Sequence, residues 1–301
     1  MLQSMPNPFP TKSTLRIPSL RQQGIAQPPA GTINQALEFI QTRERLLVIT
    51  GAGLSTNSGI PAYRDHKGEW LRRTPIFYQD FVRCPIARRR YWARSYFGWH
   101  HVAQSNPNAG HLGLAQLEHH GLIKHLITQN VDGLHERAGS RIAIEVHGQL
   151  GRVLCLDCHA RFSRYEIQDR LHEMNRHWSA EVLGYNPDGD VDLDEAAYPN
   201  FQVADCARCQ GRLKPDVVFF GESVPKTVSN AVQTAIEQCD GVLVIGSSLV
   251  VMSGYRVVKQ AHVMGKPVAA INQGRTRADA LLKFKVDTDC VKAIQAICHG
   301  L

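Results

Sequence analysis

Two C-x-x-C pairs, Cys155 with Cys158 and Cys206 with Cys209, carry the most plainly chemical spacing in this sequence. Each pair turns two thiolates onto one side of a tight knuckle, and two knuckles close a tetrahedral site of four sulfurs. That donor set suits one structural zinc ion, because four thiolates leave no open position for a reacting water. Residues 159–205 lie between the pairs, more than a minimal ribbon needs, so a small insertion is expected to hang from the metal. Cys84, Cys239, Cys290 and Cys298 show no partner spacing and read as small apolar residues.

A second signal begins at Leu46–Thr50, a short apolar, β-branched run of the kind that forms a buried parallel strand. It leads directly into Gly51-Ala52-Gly53. Glycines there permit a tight turn and let bare backbone N–H groups approach a dinucleotide pyrophosphate. Thr56 stands where the third glycine of G-x-G-x-x-G belongs, and Ser55, Asn57, Ser58, Gly59, Pro61 and Arg64 follow. A helix does not continue through Gly59-Ile60-Pro61, so the turn opens into a polar loop. That pattern suits a nucleotide that is consumed rather than merely held.

The elements that must position these groups alternate between two periods. Lys124–Thr128, Ile142–Val146, Gly241–Gly246 and Lys266–Ile271 read as further strands. Helical patterns lie at about 32–44, 226–238, 253–264 and 289–298. The expected fold is α/β, a Rossmann-like doubly wound parallel sheet with an inserted small zinc-binding module. The expected organisation is a flexible N-terminal arm over 1–30, an NAD-binding domain over 31–151 and 213–301, and a small zinc-binding domain over 152–212. Polar groups gather at the carboxyl ends of the strands, where open α/β sheets bind ligands: Gln129, Asn130 and Asp132, then His147, then Ser247 and Ser248, then Asn272, Gln273 and Gly274. A histidine at such an edge titrates near neutral pH and can act as a general base. His111, His119, His120 and His125 read as structural.

Composition sets the outer bounds. The 301 residues are 43% hydrophobic, enough for a real core, and the longest apolar stretch, near Val242–Met252, is too short to span a bilayer. The N-terminus has no secretory apolar segment, and the cysteines without one point to a reducing compartment. The setting is read as cytoplasmic, with the mitochondrial matrix as the alternative if the basic, acid-free leader is a transit peptide. A net charge of +7 permits acidic partners without demanding nucleic acid. The densest basic run, Arg83 to Arg94, reads as a solvated helix face, and the acids between Asp188 and Glu195 as a hydrated loop.

Taken together and in order, GAGLSTNSGIPAYR, TQNVDGLH, His147-Gly148, the two C-x-x-C pairs, KPDVVFFGE, GSS and INQG resemble the sirtuins, NAD-dependent protein deacylases. RYWARSYFGW, RVLCLDC, PDGDV and SGYR further resemble the class II branch, the one that includes the fourth, mitochondrial mammalian sirtuin. The resemblance implies that Gly51, Ala52, Gly53, Ser55, Thr56 and Arg64 hold the NAD phosphates and the nicotinamide-side ribose. It implies that Gln129, Asn130 and Asp132 line the ribose and nicotinamide pocket. Gly246, Ser247, Ser248, Asn272, Gln273, Gly274 and Cys290 would face the adenosine half. Val217, Val218, Phe219 and Phe220 would flank the acyl-lysine tunnel and pair edge to edge with substrate backbone. In the implied reaction the acyl-lysine amide oxygen attacks the ribose carbon bearing nicotinamide. His147, assisted by Asn130 in the pocket, then serves as catalytic base. Free lysine, nicotinamide and O-acyl-ADP-ribose leave. Acyl-lysine proteins are the implied partners, with no membrane and no direct nucleic-acid contact.

The chain departs from the family at Ala62, where many sirtuins carry Asp, which bears on how the loop orders rather than on the base or the metal. The same site would serve mono-ADP-ribosyl transfer or a lipoamidase-type reaction, and a non-enzymatic NAD-sensing protein is the reading that an intact His147 and Asn130 oppose. Tyr91 and Arg94 are three apart on an expected helix, so phenol and guanidinium share a face. In the desuccinylating branch of the family such a pair sits in the acyl pocket. Two expectations follow: either Arg94 pairs a carboxylate at the acyl end while Tyr91 adds a hydrogen bond, or the Arg-rich helix faces solvent with Tyr91 and Trp92 merely packing.

Overall fold

The structure, a computed structural model, describes residues 27–63, 75–186 and 188–301. Helix α1 (Ile33–Gln41) starts at a capping box in which the Thr32 hydroxyl accepts from the Gln35 N–H and Gln35 Oε1 accepts from the Thr32 N–H. Strand β1 (Leu46–Thr50) is buried throughout. Helices α2 (Tyr78–Arg83), α3 (Pro85–Gln104) and α4 (Ala109–His119) follow. Next come β2 (His125–Thr128), α5 (Leu134–Arg137) and β3 (Ala143–Glu145). The central segment holds β4 (Gly148–Cys155), β5 (Arg161–Ser163), α6 (Arg164–Met174), β6 (Val182–Tyr185), β7 (Val191–Leu193) and β8 (Leu213–Val217). The chain finishes with α7 (Lys226–Gln238), β9 (Gly241–Ile245), α8 (Met252–Val263), β10 (Val268–Ile271), β11 (Phe284–Val286) and α9 (Cys290–His299).

The main sheet is parallel, in the order β11-β10-β9-β1-β2-β3. Successive side chains of a strand point to opposite faces, and here both faces are covered. Leu46 and Val48 pack with α1, α4 and α9; Leu47 and Ile49 pack with α7 and α8. That is why β1 reads as an unbroken apolar run. The expected doubly wound α/β fold is the observed one. β11 was not foreseen: it is three residues long and its middle residue, Lys285, is buried with Nζ 3.5 Å from Asp279 Oδ2. Residue 30 bridges β11 at the sheet edge, Ala30 to Lys285. Strand order reverses at β1, which has β2 on one side and β9 on the other. The carboxyl ends of β1 and β9 therefore flank a switch-point crevice, the place where open α/β sheets take ligands.

A second core lies where α3 meets an antiparallel sheet of β5, β4 and β8 and the β6–β7 hairpin. Trp92 is its largest fully buried side chain, and its indole N–H donates to the Leu213 carbonyl. The basic run of α3 is not a solvated face. Arg88 donates to the Phe81 and Val82 carbonyls, Arg89 to the Pro199 carbonyl, and Arg90 pairs with Glu195. Arg88 thus ties α3 to α2, while Arg89 and Arg90 fasten it to the segment around Glu195 and Pro199, which a count of charges along the sequence does not reveal. The acids after Asp188 are likewise not all hydrated: Asp190 is 5% exposed and joins the β6–β7 hairpin.

Candidate active site

A cavity of about 900 Å³ runs along the switch point. Gly51, Ala52, Gly53 and Thr56 line one stretch of its wall, and Gly246, Ser247 and Ser248 stand opposite. The two strand ends touch: the Gly53 N–H donates to the Gly246 carbonyl at 2.9 Å, and a Cβ on Gly53 would stand 2.8 Å from that oxygen. Only glycine permits this approach. Asn272, Gln273 and Cys290 complete this end. Burial pushes the Cys290 thiol up to about 12, so it stays a neutral thiol.

Below the β1 turn a polar layer fixes the next group. Asn130 Nδ2 donates to the Gly51 carbonyl at 3.1 Å and to Ser55 Oγ at 3.0 Å. The Ser55 hydroxyl in turn donates to Asp132 Oδ2 at 2.7 Å. Asn130 and Gln129 line the cavity, whereas Ser55 and Asp132 stand behind it as supports. Burial raises the Asp132 carboxyl against the bonds from Leu134 and Ser55 that lower it. Gly274 is also off the wall, with its carbonyl receiving Lys285 Nζ at 3.0 Å. Arg64 lies outside the described residues.

His147 follows β3 and precedes β4, and its ring is held at both nitrogens. Nδ1 lies 2.8 Å from the Gln129 carbonyl and Nε2 lies 2.7 Å from Ser253 Oγ. A carbonyl only accepts, so Nδ1 carries the proton and Nε2 is the basic nitrogen. Burial lowers the ring's proton affinity, partly offset by the Gln129 bond, so it stays neutral at pH 7. Gly148 has φ of 76°, and a Cβ there would meet the Asp216 carbonyl oxygen at 2.0 Å. This closeness lets β8 lie against the histidine: the Val218 N–H donates to the His147 carbonyl at 2.8 Å. Val217, Val218, Phe219 and Phe220 thus form the far wall of the same cavity.

The four cysteines converge at the other end of β4 and β8. Their sulfurs all lie within 4.8 Å of one another, with Cys155 to Cys209 at 3.6 Å and Cys158 to Cys206 at 3.7 Å. Tetrahedral zinc with bonds of about 2.3 Å spaces its sulfurs at about 3.8 Å. Each knuckle ends on a left-handed residue, His159 and Gln210, and returns an N–H to the carbonyl of its first cysteine. The Asp157, Cys158 and Arg208 N–H groups point at sulfur, each at 3.4 Å. The cluster is compatible with a structural zinc.

Comparison with known proteins accounts for this geometry. Residues 51–253 match the model of the Sir2 family. The chain belongs to the Sir2 family. A sirtuin relative from Bradyrhizobium diazoefficiens, called NAD-dependent protein deacetylase 2, is 49% identical over 262 residues, covering 87% of this chain and 96% of the relative. An NAD-dependent protein deacetylase from Bordetella bronchiseptica is 48% identical over 264 residues, covering 87% and 96%. Among solved structures, a Sir2 complex with p53 peptide and NAD superposes with a TM-score of 0.71 at 27% identity, covering 90% of this chain and 98% of that one. A Sir2 variant with deacetylated p53 peptide and 3′-O-acetyl-ADP-ribose gives 0.73 at 26%, covering 90% and 98%.

Besides Ser55, Asp132 and Gly274, a further expected site residue of this sirtuin is off the cavity wall. Tyr91 lines the cavity, but Arg94 does not. Its Nη2 is 2.9 Å from Asp190 Oδ2 and 3.6 Å from Asp192 Oδ1, and its Nε donates to the Val191 carbonyl. The shared helix face was right, but the hairpin supplies carboxylates that α3 meets first. Contact is close because α3 has Gly98 there, whose Cβ would stand 2.5 Å from the Asp190 Cα. The wall beside Tyr91 is instead acidic, with Asp188 and Asp190 on it. Burial raises both carboxyls, Asp190 the more because Asp188 adjoins it and despite Arg94.

Two further residues went unassigned in the sequence. Lys214 is buried; its Nζ donates to the Pro215 and Val217 carbonyls and pairs with Glu222 Oε2 at 3.1 Å. It clamps the segment 217–222 from behind. A lysine beside a leucine, at the start of the KPDVVFFGE run, was the available signal. Ser253, against His147, gave none beyond its place in SGYR.

Proposed function

We propose that this chain is an NAD-dependent protein lysine deacylase of the deacetylase type. One observation carries the reading: His147 lines a single cavity that has the β1 and β9 turns at one end and the 217–220 segment at the other. The relatives' names and the Sir2 complexes with NAD and peptide support it. In this reading the backbone of Gly51–Gly53 and Gly246 takes the dinucleotide. Ser55 and Asp132 act through Asn130, which borders the nicotinamide pocket. Substrate backbone pairs with Val217–Phe220, which Lys214 and Glu222 hold in place. His147, neutral and with its lone pair at Nε2, takes the proton of a ribose hydroxyl as the acyl group moves from lysine to ribose. A zinc ion held by Cys155, Cys158, Cys206 and Cys209 supplies rigidity to the inserted module over 152–212 and no reaction step. The YWAR, RVLCLDC and SGYR runs support the class II branch. The relatives are bacterial, which supports a cytoplasmic setting over a mitochondrial one.

Incubation with NAD and a panel of acyl-lysine peptides, read by mass spectrometry, tests this. Loss of the acyl mass with formation of O-acyl-ADP-ribose is the expected result. His147→Ala should lose deacylation while keeping fold and metal. ADP-ribose retained on protein with acyl groups intact would replace this reading by mono-ADP-ribosyl transfer.

A further inference from the structure

Ser253 is the second residue of α8 and stands half-buried on the cavity wall. The Gln129 carbonyl fixes the His147 proton on Nδ1, so at 2.7 Å the Ser253 hydroxyl donates to the Nε2 lone pair. The basic nitrogen is therefore not bare. It is held by a group from an element about a hundred residues further along the chain, on the far side of the switch point.

The start of α8 is itself registered against Gln129. A Cβ on Gly254 would lie 2.2 Å from Gln129 Oε1, so the Gln129 amide packs directly against the backbone of the neighbouring position. Gln129 Nε2 donates to Ser247 Oγ at 2.7 Å, and Ser247 Oγ accepts from the Leu249 N–H at 3.2 Å. Gln129 thus touches the ring through its carbonyl, and through its amide it fixes the segment that carries Ser253. The result is a closed circuit, Gln129–His147–Ser253–Gly254–Gln129, with the imidazole as one side.

We infer that Ser253 is a positioning residue for His147, holding the base nitrogen in the plane and direction from which it takes the ribose proton. This rests on the deacylase reading above. A ring pinned at both nitrogens cannot turn about its bond to Cβ. When the ribose hydroxyl reaches Nε2, the Ser253 hydroxyl rotates off the lone pair. One O–H bond of the ribose breaks, one N–H bond forms at Nε2, and the Ser253 oxygen becomes an acceptor beside that N–H. No other proton moves. The group serves both states of the ring because a hydroxyl both donates and accepts.

The test uses the full chain with Ser253→Ala, Ser253→Thr and His147→Ala. Deacylation of an acetyl-lysine peptide is compared with exchange of labelled nicotinamide into NAD, which precedes the proton transfer. Ser253→Ala should lower deacylation kcat by about tenfold, the size of one hydrogen bond. Exchange and both KM values should stay within about twofold, because they do not use the base. Ser253→Thr, which keeps the hydroxyl, should recover most of the rate. The ¹⁵N resonance of His147 Nε2 should move downfield in Ser253→Ala and return in Ser253→Thr. Wild-type deacylation in Ser253→Ala, or equal loss of exchange and deacylation, overturns the role of Ser253. The resonance is read without turnover, so an inactive wild-type chain that still shows the shift overturns the deacylase reading alone.

Discussion

Arg94 Nη2 and Asp190 Oδ2 meet at 2.9 Å, and both side chains are buried. The guanidinium that the sequence offered to an acyl carboxylate is already engaged by the protein's own hairpin. Arg94→Met would strand Asp190 beside Asp188, and breaking one partner out of a buried pair costs about 3–5 kcal/mol. Denaturant unfolding should show that loss. Activity on acetyl-lysine and on glutaryl-type peptides should fall together; selective loss on the acidic peptide would restore Arg94 to the acyl pocket.

Burial lowers the proton affinity of His147, so its folded pKa lies below the ordinary histidine value of about 6.5. The reactive form is the neutral ring. The acid limb of deacylation kcat/KM should therefore fall below about pH 6.5, with activity flat above it until another group titrates. A limb at or above that value would mean that burial does not set the titration of His147 in the free enzyme, or that a different group sets the limb.

The metal should be part of the fold. Elemental analysis of the purified chain should give about one zinc per molecule. β4 begins at the residue after His147 and ends at Cys155, and it pairs with β8 from Gly148–Val217 to Cys155–Leu213. Chelation, or Cys155→Ser, should therefore loosen the wall that carries Val217 as well as the knuckles, and deacylation should be lost with the metal. Full activity in a demonstrably zinc-free protein would separate the two.

Two other histidines should work against stability in acid. Burial takes His111 down to about 4 and His135 to about 3, the latter also pushed by His111. Above about pH 6.5 both rings are neutral in folded and unfolded chains and exact no penalty. As pH falls from there the unfolded chain binds protons that the native state refuses, so stability declines until pH passes below the folded values. Melting temperature should drop between about pH 6.5 and about pH 4. Replacing both residues with Asn should flatten that slope, whatever the variant's stability at neutral pH.

Much of the fold was legible because its strongest signals are periodic. β1 and β9 are short apolar runs that each lead into a glycine, Gly51 and Gly246, and they fall where the pattern puts them. β11 was not, because three residues around a buried lysine carry no period. The four cysteines were legible from spacing alone. The hydrogen-bonded supports were not: Ser253 meets His147, and Ser55 meets Asp132, across turns of the fold that no local pattern encodes. The arginines of α3 misled in one direction, since charge along a helix looks solvated until the packing partners are known. Arg94 misled in the other, because helical spacing tells which face a side chain shares and not what stands opposite.

The place of β1 has a consequence for synthesis. Its register with β2 runs from Leu47–His125 to Thr50–Thr128, and with β9 from Leu46–Gly241 to Thr50–Ile245. The strand emerges early, yet one of its edges has no partner until the ribosome has passed residue 245. Until then Leu46–Thr50 is an apolar edge with unpaired backbone groups, the kind of template on which nascent chains stick to one another. Pairing across so long a stretch of chain is also slow. A chain cut before β9 should aggregate rather than fold as a half-domain, and yield of the full protein should depend on holding chaperones more than its finished stability suggests.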